Sequence, residues 1–246
     1  FRGFRVHTHE FIIRYLRVRL DGMGTPNEGQ VGLHIGNGSH DGIIDHCSTS
    51  WSLDENMLIF KEQLPLSSDI YNITIQRCAL AEGLVAHSTG LPISGTTDYS
   101  VSPPIEEYRK AHNISVHHNL FVHNSHRNPR VGAAGVQSIN NVTYNWKARV
   151  GETVGGCIVD LINNYWKAGP MSGTLIFKHE TIQDGVGLPD PSIYVSGNIV
   201  PGLLENPAGD NWRLFKLDPG FGPLPLSYRR LTRLPQAKNP IMIQPA

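Results

Sequence analysis

The chain has 246 residues, 39% hydrophobic and only 17% charged, which is enough apolar material for one sizeable buried core and too little charge for a disordered chain or a coiled coil. Its 21 basic and 21 acidic side chains cancel, so a strongly basic nucleic-acid footprint is excluded while a local cationic groove is not. No run of about 18 apolar residues is present that could cross a membrane as a helix.

In chain order, the β-pattern is already under way at the start. Leu16, Val18 and Leu20 alternate with Arg17 and Arg19, and a trimmed beginning is expected from this. The 25 glycines and 17 prolines are spread along the whole chain, so turns are frequent and long helices are not expected. Six short segments then align on one another: 43–47, 74–78, 115–119, 138–142, 160–164 and 194–198. Their second position is always aliphatic (Ile44, Ile75, Val116, Ile139, Leu161, Val195). Their fourth is never a large apolar residue (His46, Arg77, His118, Asn141, Asn163, Gly197). Their fifth is Cys47, Cys78, Asn119, Val142, Asn164 or Asn198, and two residues later Leu80, Phe121, Tyr144, Trp166 and Val200 restore an apolar group.

The anchors lie 31, 41, 23, 22 and 34 residues apart, and the minimum suits one coil of a parallel β-helix with loops inserted into the longer coils. Stacked coils would bury a column of aliphatic, aromatic and aligned Asn side chains, the amides bonding along the column. A β-sandwich is disfavoured by the unequal spacing and by the scarcity of two-residue hairpin signals, and a βαβ fold by the lack of amphipathic helices between strands. Cys47, Cys78 and Cys157 are odd in number and read as small buried residues rather than a disulfide framework.

Three stretches carry a family resemblance. Residues 45–56, Asp-His-Cys-Ser-Thr-Ser-Trp-Ser-Leu-Asp-Glu-Asn, form the first. His117-His118-Asn119-Leu120-Phe121 with Arg127-Asn128-Pro129-Arg130 is the second, and Asn140-Asn141-Val142-Thr143-Tyr144-Asn145-Trp146 the third. Glu82-Gly83-Leu84 and His87-Ser88-x-Gly90 fit between the first two. Together, from about Ile12 to Trp166, these resemble the bacterial and fungal pectate lyases.

The resemblance implies an all-β, right-handed parallel β-helix whose N-terminal rungs and cap are missing, with core rungs over about residues 12–200 and a C-terminal extension over 201–246. It also implies calcium-dependent β-elimination of polygalacturonate by a secreted protein, extracellular or periplasmic, expected to be a monomer and to bind neither nucleic acid nor membrane. The chain departs from the family pattern twice. Val31-Gly32-Leu33-His34-Ile35 offers no carboxylate where an upstream calcium ligand is usual, and Gly132 stands where a further arginine is usual.

Such an elimination needs a base near the proton next to the carboxylate and a cation to stabilise the enolate-like charge. Calcium takes hard oxygen ligands. The resemblance points to Asp54, with Glu55 and Asp45 as weaker candidates. Neighbours on a regular strand face opposite ways, so Asp54 and Glu55 are not both expected to point outward. The resemblance places the base at Arg127, although a guanidinium is ordinarily always protonated, which leaves stabilisation of the developing anion as its alternative role. Arg130 resembles a substrate-binding arginine able to fork onto a carboxylate. His87 and Ser88 are groove residues by resemblance only. His118 is the one of the 117–118 pair expected to line the groove. His7-Thr8-His9-Glu10 reads as a strand edge, and Trp51, Tyr144, Trp146 and Trp166 as core or stacking residues. Two further functions compete: a non-catalytic carbohydrate-binding or structural β-helix, and a glycoside hydrolase using a carboxylate pair such as Asp41 and Asp45.

Overall fold

The structure is a computed structural model that describes residues 3–23, 25, 29–61, 68–84, 87–95, 104–235 and 241–246. It is a parallel β-helix. Among the described residues the first six coils each give one strand to each of three sheets, the seventh reaches the first two, and Phe215–Asp218 extends the first alone. The first sheet runs through Phe4–Val6, Leu33–Ile35, Met57–Phe60, Pro92–Ser94, Arg130–Gly132, Arg149–Val154, Leu175–Glu180 and Phe215–Asp218. The second runs through His9–Arg14, His40–Asp45, Ile70–Gln76, Ala111–His117, Ala134–Ile139, Ile158–Ile162 and Ser192–Ser196. The third holds Arg17–Arg19, Ser48–Ser50, Ala79–Ala81, Leu120–Val122, Val142–Tyr144 and Tyr165–Lys167. Neighbouring strands in all three are parallel, as in the pairing of Ile75 with Val116 and of Phe121 with Thr143.

The corner between the second and third sheets shows why the repeat has its form. One residue per coil takes a positive φ there: Tyr15, His46, Arg77, His118, Asn140, Asn163 and Gly197. A left-handed backbone costs an L-residue roughly 1–2 kcal/mol, and Asn and Gly bear it best. The next residue points inward and forms a ladder. The Oδ1 of Asn119 accepts from Cys78 N, and the ladder continues through Asn141, Asn164, Asn198 and Asn211, each Oδ1 accepting from the backbone N and Nδ2 of the asparagine before it at 2.8–3.1 Å.

The fourth repeat therefore slips by one residue from the alignment read in the sequence. Ser138, not Ile139, pairs with Val116 and Leu161, and Asn141, not Val142, occupies the ladder. Thr143, not Tyr144, follows Phe121 in the stack. Replacing Asn164 with leucine strips partners from Asn141 and Asn198 in a buried column, where each orphaned polar group costs about 1–3 kcal/mol. A loss of about 3 kcal/mol or more is expected in urea denaturation.

Inside the coils, Ile35, Ile59, Ile93, Val131 and Phe177 from the first sheet meet Ile44, Ile75, Val116 and Leu161 from the second and Leu80, Phe121 and Trp166 from the third. His179 is fully buried at the C-terminal part of this core, with Nδ1 on Thr153 Oγ1 at 3.0 Å. Burial lowers its pKa from 6.5 to about 4, with Asp190 opposing. The unfolded chain thus binds this proton more readily than the folded one. Stability is flat above about pH 6.5 and falls towards pH 4, by at most about 1.4 kcal/mol per pH unit for this group. His179→Asn should flatten that part of a melting-temperature profile taken from pH 7 to pH 4. An unchanged profile would remove His179 as a source of acid sensitivity.

The C-terminal segment folds back over the second sheet. Arg230 and the Leu234 amide meet the buried Asp160, and Gln244 bonds to Asn140 and Asn163. The corners leading from the third sheet into the first carry the polar site.

Candidate active site

Both halves of the site sit at the corner where a coil leaves the third sheet and enters the first. Asp54 and Glu55 lie between Ser48–Ser50 and Met57–Phe60, and Arg127 lies two coils later, between Leu120–Val122 and Arg130–Gly132. Two coils correspond to about 10 Å along the stack, a span that an arginine side chain can largely cross. Backbone hydrogen bonds tie the corners together. Thr89 N donates to Asp54 O, Asn56 N to Thr89 O, Leu91 N to Arg127 O and Asn128 N to Val150 O. Gly90 is required beneath the Arg127 corner, since a Cβ there would stand 2.1 Å from Asn128 Oδ1 and 3.1 Å from Arg127 O. Arg127 itself has φ 59°, uncommon for a residue with a side chain.

Arg127 Nη1 donates to Glu55 Oε1 at 3.1 Å across 72 residues of sequence. Its Nε donates to Glu152 Oε1 at 3.2 Å. Arg130 Nε lies 3.0 Å from the same oxygen, and Arg149 Nε donates to Glu152 Oε2 at 2.6 Å. Arg130 Nη2 also reaches Gln183 Oε1 at 3.1 Å and Glu180 Oε2 at 3.4 Å. Asp54, Glu55, Arg127 and Arg130 line one groove of about 320 Å³ together with His34, Leu58, Phe60 and Arg5. Strand register explains the lining. Arg5, His34 and Leu58 are in line on the outer face of the first sheet, and Pro92, Arg130, Glu152, Lys178 and Lys216 form a matching row.

The electrostatics follow from burial. Burial and the adjacent charge of Asp54 push the Glu55 carboxyl up to about 8, against the pull of Arg127. Burial also acts to raise Asp54, but hydrogen bonds to His87 and Glu55 hold it below its ordinary value. His87 Nδ1 is 3.0 Å from Asp54 Oδ1, and Gly29 N donates to Asp54 Oδ2 at 3.2 Å. Glu152 is 1% exposed, yet Arg130, Arg149 and Arg127 overcome its burial and keep it well below the carboxylate range.

Among the described residues, Asp54, Glu55 and His87 bring ligand atoms within 4.8 Å of one another. Two carboxylates pressed together so that one resists ionising fit a hard divalent cation, whose charge would let both ionise. The imidazole is a poorer match for such a cation, and here it is bonded to Asp54. The expected strand alternation does not separate Asp54 from Glu55. Residues 51–56 form a corner rather than a strand, and both carboxylates reach the same cluster.

Other sequence candidates lie elsewhere. Asp45 is buried on the second sheet, bonded to Arg14 at 2.7 Å, His46 at 2.8 Å and Gln76 at 3.0 Å, outside the Asp54 cluster. Asp41 bonds to Asn72 and His40 on the same sheet. His118 stands at the corner between the second and third sheets with its Nδ1 2.9 Å from that of His117, and neither ring lines the groove. The buried Ser88 hydroxyl donates to Ser52 O at 2.6 Å, beneath the groove surface.

Glu152 and Arg149 were missed by motif reading, and the repeat could have found them. Arg130 to Glu152 and Arg127 to Arg149 are each 22 residues, the same step as Asn119 to Asn141 in the ladder.

No family model matches the chain. The chain is similar to proteins named probable pectate lyase C. It is 32% identical to that of Neosartorya fischeri over 170 residues, covering 68% of this chain and 34% of the relative. It is 33% identical to that of Aspergillus terreus over 171 residues, with the same shares, and 32% identical to that of Emericella nidulans over 193 residues, covering 76% and 40%. The chain thus spans about a third of the length of the curated relatives it matches.

Proposed function

This β-helix belongs to the pectate lyase family, and from that premise we propose that it cleaves polygalacturonate by calcium-dependent β-elimination in the groove on its first sheet. The observation that carries the reading is the reach of Arg127 to Glu55. It sets a basic group and a carboxylate cluster on one small patch despite 72 intervening residues.

Asp54 would hold calcium, with Glu55 as the weaker second ligand. Bound there, the ion supplies a positive charge for the uronate carboxylate and for the enolate that develops from it. Arg130, on the same groove, forks onto a substrate carboxylate and fixes the ring. Arg127 receives the proton from the carbon next to the carboxylate. The electrons of that C–H bond become the new C=C bond, the adjacent glycosidic C–O bond breaks, and the leaving oxygen takes up a proton from water. Glu55 and Glu152 flank the guanidinium, which is ordinarily always protonated, so Arg127 must first pass a proton to water before it can act as the base. In its charged form the same group steadies the anion. The wall formed by Leu58 and Phe60 gives the sugar ring an apolar surface. A polysaccharide substrate would be met outside the cytoplasm, so this reading also makes the protein a secreted one, extracellular or periplasmic.

The test is ultraviolet absorbance of the unsaturated product during digestion of polygalacturonate, with calcium and with a chelator. Absorbance that rises with calcium and stops with the chelator is expected. Reducing ends without absorbance would indicate a hydrolase, and neither signal would indicate a binding module.

A further inference from the structure

We propose that Glu152 is the positioning residue of this groove, its single carboxylate holding the side chains of Arg127 and Arg130 in register for the substrate. Arg127 donates its Nε–H to Glu152 Oε1 at 3.2 Å, and Arg130 Nε stands 3.0 Å from the same oxygen as an ion pair. For Arg127 that contact uses the inner edge of the guanidinium and leaves Nη1 to meet Glu55 in the groove, while Arg130 turns Nη2 to Glu180 and Gln183. Arg149 occupies the other oxygen, Oε2, and Lys178 Nζ stands 4.0 Å from it.

Three features separate this arrangement from an ordinary surface ion pair. Glu152 is 1% exposed, so its charge has been taken almost wholly out of water, which is tolerated only with excellent pairing. One carboxylate faces three guanidiniums, so a single side chain holds several cations at once rather than one partner. Its position is fixed by the sheet, because Glu152 pairs in register with Arg130 on one side and Lys178 on the other. Arg127, by contrast, leaves from a corner with a long side chain that would otherwise sample many rotamers. A misplacement of about 1 Å at a reacting group can cost about 10²-fold in rate.

The experiment uses Glu152→Gln, which keeps shape and loses charge, and Glu152→Asp, which keeps charge and withdraws it by one methylene. The first readout is hydrogen exchange at the arginine Nε–H groups by nitrogen-15 NMR, assigned with Arg127→Lys and Arg130→Lys. Slow exchange at both groups is expected in the parent, at least about tenfold faster exchange in Glu152→Gln, and an intermediate rate in Glu152→Asp. Unchanged exchange in both folded variants would overturn the proposal.

The second readout is kinetic and rests on the elimination reading. In Glu152→Gln, kcat should fall about 10²-fold with KM changed only a few-fold, and Glu152→Asp should recover part of the loss. Placed on Arg127→Lys, Glu152→Gln should cost less than about threefold more, because the group it positions is gone. Fully additive losses would assign Glu152 a structural role alone. A parent protein with no elimination activity would sink the elimination reading and leave the exchange rates to decide Glu152.

Discussion

Arg127→Lys should lower kcat on polygalacturonate by about 10³-fold while moving the melting temperature by only a few degrees. Loss of a positioned acid–base group costs about 10²–10⁴-fold. Lysine keeps a positive charge but not the fork. Its one ammonium cannot repeat the division seen here, with Nε on Glu152 and Nη1 on Glu55. The stability cost is small because Glu152 retains Arg130 and Arg149, and the new ammonium still offsets the local carboxylates. A destabilisation of about 1 kcal/mol would shift the midpoint of a chain this size by about 2–4 °C. Full activity in the lysine variant would remove Arg127 from the chemistry.

The second large effect is expected at Asp54. Asp54→Asn removes one of the two carboxylates of the cluster and the charge that, after burial, does most to raise Glu55. Glu55 should therefore titrate closer to its ordinary value. The calcium concentration giving half-maximal activity should rise by at least the 10–100-fold typical of losing even an outer partner of a metal ligand. The His87 hydrogen bond to Oδ1 and the Gly29 hydrogen bond to Oδ2 can largely be kept by the amide, so the fold should survive. Calcium titration of the initial rate checks this. An unchanged half-saturation point would place the ion away from Asp54.

Much of the architecture was legible because a stacked fold writes its period into the chain. The aliphatic second position and the ladder residue each have one place to go, and their 22–41-residue returns show as spacing once the loops are allowed for. The slip in the fourth repeat has a local cause. Ile139 is an aliphatic anchor by type, which sets Asn141 at the corner and Val142 in the ladder, whereas an anchor at Ser138 sets Asn140 at the corner and Asn141 in the ladder. Only the positive φ at Asn140 and the pairing of Ser138 with Val116 choose between them.

The site was legible where a motif lay within a few residues of itself, as in Asp54-Glu55 or Arg127–Arg130. It was less so where stacking creates the contact. The alternation rule divided Asp54 from Glu55 because it assumes a strand, and the chain makes a corner there. Glu152 sits in a strand among small and apolar neighbours, Gly151, Thr153 and Val154, and nothing local marks it as belonging with the arginines. Asp45 and His118 are placed apart from the groove. Each lies beside a motif, but at the corner joining the second and third sheets, which the coil turns away from the groove.

The most direct test is a crystal structure of the Arg127→Lys protein with calcium and a short oligogalacturonate. One uronate carboxylate should lie over the Asp54–Glu55 cluster, with the proton-bearing carbon of the same sugar ring turned towards position 127 and Arg130 on a neighbouring carboxylate. An oligosaccharide seated instead on the second sheet, or a calcium ion bound without Asp54, would contradict the account.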